Sequence, residues 1–304
     1  MTDKNQDKKL LTHSKAGNKV FEEDNIFDHV TDGDKVAILM AHFGTTHEDT
    51  REKTIDIIND MVTAHYPMID MYEAYTSRII VKRLKDRGVE KMLPSEALRL
   101  LADQGYTHVI VQPTTIIWGV EMESLCIDVE EIRDRFKEVR LCSPLLSYEE
   151  DYDALIEAMT AETEEDEVYL WVGHGTYDVS TAQYAMLDYK LKDLGYPNHI
   201  IGCIEGYPYF EQALSQLRRL DTKRVHLQPL MLVAGEHAKN DIAEDWKEML
   251  EEEGYEVVLH LCGLGELPAV QERFLELLTF YSRHRKIGIM QKKSLYISTG
   301  KKMK

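Results

Sequence analysis

The stretch His226-Leu-Gln-Pro-Leu-Met-Leu-Val-Ala-Gly-Glu-His-Ala-Lys-Asn240 decides the fold, because its outline occurs twice in the chain. Taken alone it reads as a buried strand that enters a glycine-containing turn and leaves Glu236 and His237 where a helix should begin. Its counterpart lies upstream. Val109-Ile-Val-Gln-Pro113 matches Val225-His-Leu-Gln-Pro229, and the spacing from each Gln-Pro pair to Gly119 or Gly235, and on to Glu121 or His237, is identical. Two further correspondences align Gly44-Thr45 with Gly175-Thr176 and set Glu73-Ala-Tyr75 beside Glu205-Gly-Tyr207, at offsets of 29 and 30 residues. Self-similarity over this length predicts a duplicated domain with one strand order.

Working outward, Val36-Ala-Ile-Leu-Met40 is a continuous apolar run that ends at Ala41-His-Phe-Gly-Thr-Thr46 and is followed by helical spacing over 49–64. Fully apolar strands alternating with amphipathic helices indicate an α/β fold of parallel sheets flanked by helices. The first half continues with a strand at 70–75, a basic helix at 77–87, a helix at 94–104, the strand at 109–113, a long helix at 121–139 and a strand at 141–146. The second half repeats the pattern from Val168-Tyr-Leu-Trp-Val172 and Gly173-His-Gly-Thr176 to a helix at 241–253 and a strand at 257–261. A last helix, from Pro268 to about Arg283, sets Val270, Phe274, Leu277, Leu278 and Tyr281 on one face. The expected domains are 33–145, joined by helix 268–284, and 146–267. Residues 1–32 read as a loose or disordered extension and 286–304 as a basic, disordered tail.

Composition limits the function classes. With 304 residues and 43% hydrophobic content the chain can bury two ordinary cores, and a formal charge of −18 argues against nucleic acid. The four cysteines, Cys126, Cys142, Cys203 and Cys262, are scattered without a C-x-x-C pair, so reduced thiols are expected. No apolar run reaches membrane-span length, and the first residues lack a signal-peptide core, which makes a cytoplasmic protein the expectation.

Equivalent loops of two parallel-sheet domains open at the carboxyl ends of their strands onto a shared cleft. Four loops should meet there, carrying His42, Glu121, His174 and His237. Two imidazoles with a carboxylate suit a borderline divalent cation such as cobalt, iron or nickel. The plainer readings stand beside this one: His174 as a turn or core residue, His237 as a helix-start residue, and Glu121 as a first-turn carboxylate favoured by the helix dipole. His42 sits one position before the equivalent of His174, where Phe43 takes the matching place. His47, His108, His199, His226 and His260 read as surface or strand residues.

The matching stretches His42-Phe-Gly-Thr45, Ala74-Tyr-Thr-Ser77, Gly119-Val-Glu121, Gly173-His-Gly175 and Pro229-Leu-Met-Leu-Val-Ala-Gly-Glu-His-Ala238 with Asn240-Asp241 resemble the anaerobic cobaltochelatases. These are class II tetrapyrrole chelatases that place Co2+ in sirohydrochlorin, and the resemblance spans residues 35–283. It implies two flavodoxin-like halves with a cleft between them, and a C-terminal helix returning to the first half. It also implies that His174 and His237 bind the metal, that Glu121 completes the set, and that these three carry the catalysis in anaerobic cobalamin biosynthesis. Similar ferrochelatases hold a glutamate at the position of His237, so the histidine pair favours Co2+ over Fe2+, with Ni2+ a further alternative. Arg78, Lys82 and Arg83, with Tyr75 and Ser77, are the expected contacts for the carboxylate-rich tetrapyrrole. Arg78, Lys82 and Arg83 read equally as a solvated helix face. His42 stands where the family usually has a small residue and is a candidate extra ligand. No phosphate-binding loop is present, so no nucleotide is expected. The alternatives left open are another metal specificity and a non-catalytic tetrapyrrole or metal carrier using the same cleft; homo-oligomerisation is also open.

Overall fold

Strand β2 (Val36–His42) is apolar from Val36 to Ala41 because both of its faces are covered. Side chains alternate across a strand, so Ala37, Leu39 and Ala41 enter one core while Ile38 and Met40 enter another. This computed structural model describes residues 20–235 and 238–299. Strand β1 (Phe21–Glu23) precedes β2. The first sheet adds β3 (Asp70–Tyr75), β4 (His108–Pro113) and β5 (Glu138–Leu141), all parallel, in the order β3-β2-β4-β5. The second contains β6 (Val168–Gly175), β7 (His199–Glu205), β8 (Arg224–Pro229) and β9 (Glu256–Leu259), again parallel, in the equivalent order β7-β6-β8-β9.

The duplication extends to the register. Ala41 stands opposite Pro113 and Val172 opposite Pro229, so the two Gln-Pro pairs occupy the same rung of their ladders. The Glu-x-Tyr correspondence does not hold. Glu73 faces Met40, whereas Glu205 faces Gly175, four rungs further along once Gly44 and Gly175 are aligned. The counterparts of Glu73-Ala74-Tyr75 are Ile201-Gly202-Cys203, which face Trp171, Val172 and Gly173.

One core is shared between the sheets. Ile38, Met40 and Ile110 from the first and Tyr169, Trp171 and Ile201 from the second meet helices Glu149–Thr160 and Pro268–Arg283, the latter through Phe274, Leu277 and Leu278. Helices Pro94–Asp103 and Val120–Ile132 cover the outer face of the first sheet; helix Phe210–Leu217 and the segment 238–252 cover that of the second. In that segment a π-helical stretch, Ala238–Trp246, precedes the α-helix Lys247–Glu252, where an ordinary helix was expected.

Three expectations need correction. The helix expected over 121–139 stops at Ile132, and β5 occupies Glu138–Leu141 rather than 141–146, because Glu138–Leu141 pairs in register with His108–Val111. The extension 1–32 is not loose from Val20 onward; residues 1–19 lie outside the described residues. Phe21 packs edge-on to Phe280, Tyr281 and Tyr148, and β1 pairs antiparallel with β10 (His284–Lys286). The tail expected to be disordered forms a helix, Ile289–Thr299, and 300–304 lie outside the described residues.

A buried arginine holds this β1–β10 clip to the body. Arg140 of β5 reaches Glu138 Oε1 at 2.6 Å and Asp24 Oδ1 at 3.2 Å. Its Nη1 donates to the carbonyls of Asp24 (2.5 Å), Tyr281 (3.1 Å) and Ser282 (3.1 Å). His29 bridges the same two carboxylates, at 2.8 Å from Asp24 and 2.7 Å from Glu138.

Candidate active site

In each half the chain leaves the central strand for a neighbour on one side, then returns to pair on the other. That reversal opens a crevice at the carboxyl ends of β2 and β4, and again at those of β6 and β8. The loops from the two crevices interlock. Trp118 N–H donates to Gln183 Oε1 at 2.8 Å, and Gln183 Nε2 donates to the Leu146 carbonyl at 2.6 Å. A side chain at Gly119 would meet Ser180 Oγ at 3.4 Å, and one at Gly235 would reach Thr45 Oγ1 at 3.8 Å. These two approaches join repeat-equivalent glycines to the opposite half.

His174 is the penultimate residue of β6 and is half-buried. Its backbone has little freedom: a Cβ at Gly173 would strike the Tyr184 ring, and Gly175, at φ +80°, lies where a Cβ would strike the Glu205 carbonyl. The imidazole Nδ1 lies 3.1 Å from the Gly175 carbonyl, which can only accept. Nδ1 therefore donates, and in the neutral ring this puts the lone pair on Nε2, the tautomer that ligates a metal. Glu121 is half-buried in the first turn of helix Val120–Ile132, after Gly119 at the N-cap. His237 and Glu236 lie outside the described residues. Among the described residues, no three His, Cys, Asp or Glu side chains gather as a metal cluster.

His42 is not an additional ligand. It is fully buried, with Nδ1 2.8 Å from Thr114 Oγ1 and Nε2 3.0 Å from Asn59 Oδ1. Asn59 Nδ2 donates to Glu73 Oε2 at 2.8 Å, and Lys91 pairs with the other oxygen of Glu73. That chain orients the Asn59 oxygen towards His42, so Nε2 donates and Nδ1 accepts from the threonine hydroxyl. Both ring nitrogens are thereby committed inside the first half.

Tyr75 and Ser77 are also corrected as substrate contacts. Tyr75 is fully buried, its ring packed against Gly44 and lying 5.0 Å from Lys91 Nζ, and burial pushes its phenol well up. Ser77 is buried and caps helix Arg78–Asp86 by accepting from Ile80 N–H at 3.4 Å. Arg78, Lys82 and Arg83 are exposed on that helix; Lys82 pairs with Asp86 at 2.9 Å.

Three of the histidines read as surface or strand residues are built into packed networks. His226 Nδ1 lies 2.8 Å from His260 Nε2, with the rings stacked. His199 accepts from Trp171 Nε1 at 3.2 Å, stacks on Tyr169, and is held down to about 4 by burial, with Lys192 adding to the effect. Burial lowers His42 in the same direction. A depressed folded pKa leaves stability intact above the unfolded value of about 6.5 and removes it as pH falls, because the unfolded chain then takes the proton first. Urea unfolding should therefore show His199 alone removing up to about 3 kcal/mol between about pH 6.5 and 4, and His199→Gln should flatten that slope.

Sequence reasoning missed the aromatic side chains on these loops. Phe43 follows β2, Trp118 follows β4, Tyr177 follows β6 and Tyr207 follows β7, and all four are exposed. Single exposed apolar residues are common, but these four all follow the carboxyl ends of strands in the two sheets. The available signal was an aromatic residue placed just after a strand end.

The comparisons agree with this geometry. The family model described as "Cobalt chelatase (CbiK)" matches residues 36–281. The sirohydrochlorin cobaltochelatase of Salmonella typhimurium is 36% identical over 249 residues, covering 79% of this chain and 94% of that protein. Sirohydrochlorin cobaltochelatase CbiKC of Nitratidesulfovibrio vulgaris is 31% identical over 255 residues, covering 81% and 90%. The solved structure of SirB from Bacillus subtilis with Fe3+ shares the fold, with a TM-score of 0.61 at 16% identity, covering 82% of this chain and 96% of that one.

Proposed function

We propose that this chain, which belongs to the cobalt chelatase (CbiK) family, inserts Co2+ into a sirohydrochlorin-type tetrapyrrole of anaerobic cobalamin biosynthesis without a nucleotide. The observation that supports the reading is the interlocked pair of carboxyl-edge crevices, with His174 near the end of β6 and Glu121 at the start of the helix after β4. Exposed aromatic side chains after the strand ends suit a flat macrocycle, which offers large faces for stacking. His174, through Nε2, and His237 would take the incoming ion, with Glu121 as the third donor. Few protein donors leave coordination positions for the pyrrole nitrogens. Metallation releases two protons; the charge of the ion lowers the pKa of the nitrogens it approaches, and Glu121 or a neutral imidazole accepts what leaves. Arg78, Lys82 and Arg83 remain candidates for the substrate's carboxylates.

No helix among the described residues is long and apolar enough to cross a membrane, and a cytoplasmic location fits a biosynthetic role. The test is turnover. Mixed with Co2+ and sirohydrochlorin, the protein should convert many equivalents of tetrapyrrole, followed by absorption. Conversion of one equivalent at most would make it a carrier, and faster insertion of Fe2+ or Ni2+ would reassign the metal.

A further inference from the structure

The family match ends at residue 281, but the ordered chain continues. After Arg283 it forms β10 and then helix Ile289–Thr299, and the end of β10 brings Lys286 beside Trp118 in the loop after β4. Lys286 Nζ lies 5.4 Å from the centre of the Trp118 ring, three residues before Glu121. Lys292 belongs to the same cluster: its ammonium is held down first by burial and then by Lys286. Cys126, in the helix that begins at Val120, also feels Lys286, which opposes the upward push of burial on its thiol.

Neither lysine has an ion pair with a carboxylate among the described residues. Other cations nearby do. A groove of about 1000 Å3 runs from Trp118 and Lys286 along edge strand β5. Along it, Arg133 pairs with Glu130, Lys137 with Asp34, and Arg285 with Glu22 and Asp24. Positive charge without an internal counter-ion is therefore concentrated at the Trp118 end. In a chain of net charge −18, the Lys286 ammonium on the Trp118 face, with Lys292 in its neighbourhood and neither paired to a carboxylate among the described residues, provides a local exception to the repulsion an anionic ligand would otherwise meet.

We propose that Lys286 and Lys292, with the face of Trp118, bind carboxylate substituents of the tetrapyrrole at the rim of the cleft. The inference rests on the chelatase reading for the identity of the ligand. The site needs nothing from the metal ligands: it fixes the edge of the macrocycle and offsets its negative charge, while insertion occurs elsewhere. Its effect should therefore fall on KM rather than kcat.

The test compares the full chain with a Lys286→Glu/Lys292→Glu variant and with a charge-matched control, Arg218→Glu/Lys247→Glu, on the outer side of the second half. One readout is cobalt insertion; the other is direct binding of uroporphyrin, a porphyrin polycarboxylate, by quenching of tryptophan fluorescence. The site variant should raise KM and the uroporphyrin Kd by about tenfold or more, keep kcat within about twofold, and lose most of the salt dependence of binding. The control should change each by less than about threefold. An unchanged Kd and salt dependence in the site variant, or equal losses in both variants, overturns the proposal. The chelatase reading fails separately, if the unmodified chain gives no turnover while its uroporphyrin binding still depends on Lys286 and Lys292. A Trp118→Leu variant should weaken uroporphyrin binding further while leaving the unfolding midpoint of this exposed position nearly unchanged.

Discussion

Alanine at His174 is expected to lower the rate of cobalt insertion at least about a hundredfold while moving the unfolding midpoint by no more than about 2 °C. The asymmetry follows from the position. The residue is half-buried near a strand end, so truncation removes little packing. Chemically the loss is large, because the Nδ1 bond is what leaves a lone pair on Nε2. Removing an outer-shell partner from a metal-ligating histidine already costs tenfold to about a hundredfold, and removing the ligand should exceed that. The experiment pairs insertion kinetics with a melting curve for the same preparation. Wild-type rates in His174→Ala would remove this residue from the site. A large fall in midpoint would instead assign the histidine a structural role.

Arg140→Ala should destabilise the protein by about 3–5 kcal/mol, a fall in midpoint on the order of 10 °C. The guanidinium is nearly inaccessible and serves two carboxylates and three carbonyls. Deleting it leaves Glu138 with His29 and Asp24 with His29 and Arg285 as the cations beside them, and leaves three carbonyls without that donor. Arg140→Lys keeps the charge but cannot span the same acceptors, so an intermediate loss is expected. Glu22→Gln supplies the contrast: its pair with Arg285 is largely exposed and should contribute less than about 1 kcal/mol. Deleting residues 1–30 should reproduce most of the Arg140→Ala loss. If that deletion left stability unchanged, the amino-terminal segment would be the loose extension its polar sequence suggested.

How much was legible depended on whether the deciding contact lay inside a period. The paired Gln-Pro stretches were readable because strands buried on both faces tolerate few residue types, and their register carried over to the structure rung for rung. Glu73 and Glu205 misled because an identity match ignores the ladder, which sets them four rungs apart. His42 attracted a ligand reading since its neighbours in sequence say nothing of Asn59 and Thr114, 17 and 72 residues away. Arg140 was hidden by a helical period that ran past Ile132, and only pairing with β4 marks those residues as a strand. Lys286 fell in a run of lysines that looks unstructured until β1 is available to pair with it. Of the candidate metal set, His174 lies near the carboxyl end of β6 and Glu121 in the first turn of the helix that follows β4.

The placement of helix Pro268–Arg283 also bears on synthesis. Phe274, Leu277 and Leu278 belong to a core that includes Ile38, Met40 and Ile110, and the clip adds β10 to β1. The half translated first thus lacks part of its interior until the ribosome has passed residue 286. Sheet β7-β6-β8-β9, with its outer helices, is complete in primary structure by Leu259. Folding in order of translation is consequently unavailable to this chain: the earlier-made half must wait, partly open, for a segment on the far side of the later-made one. Nascent chains stalled near residue 260 should be protease-sensitive in residues 36–145 and become resistant only after release.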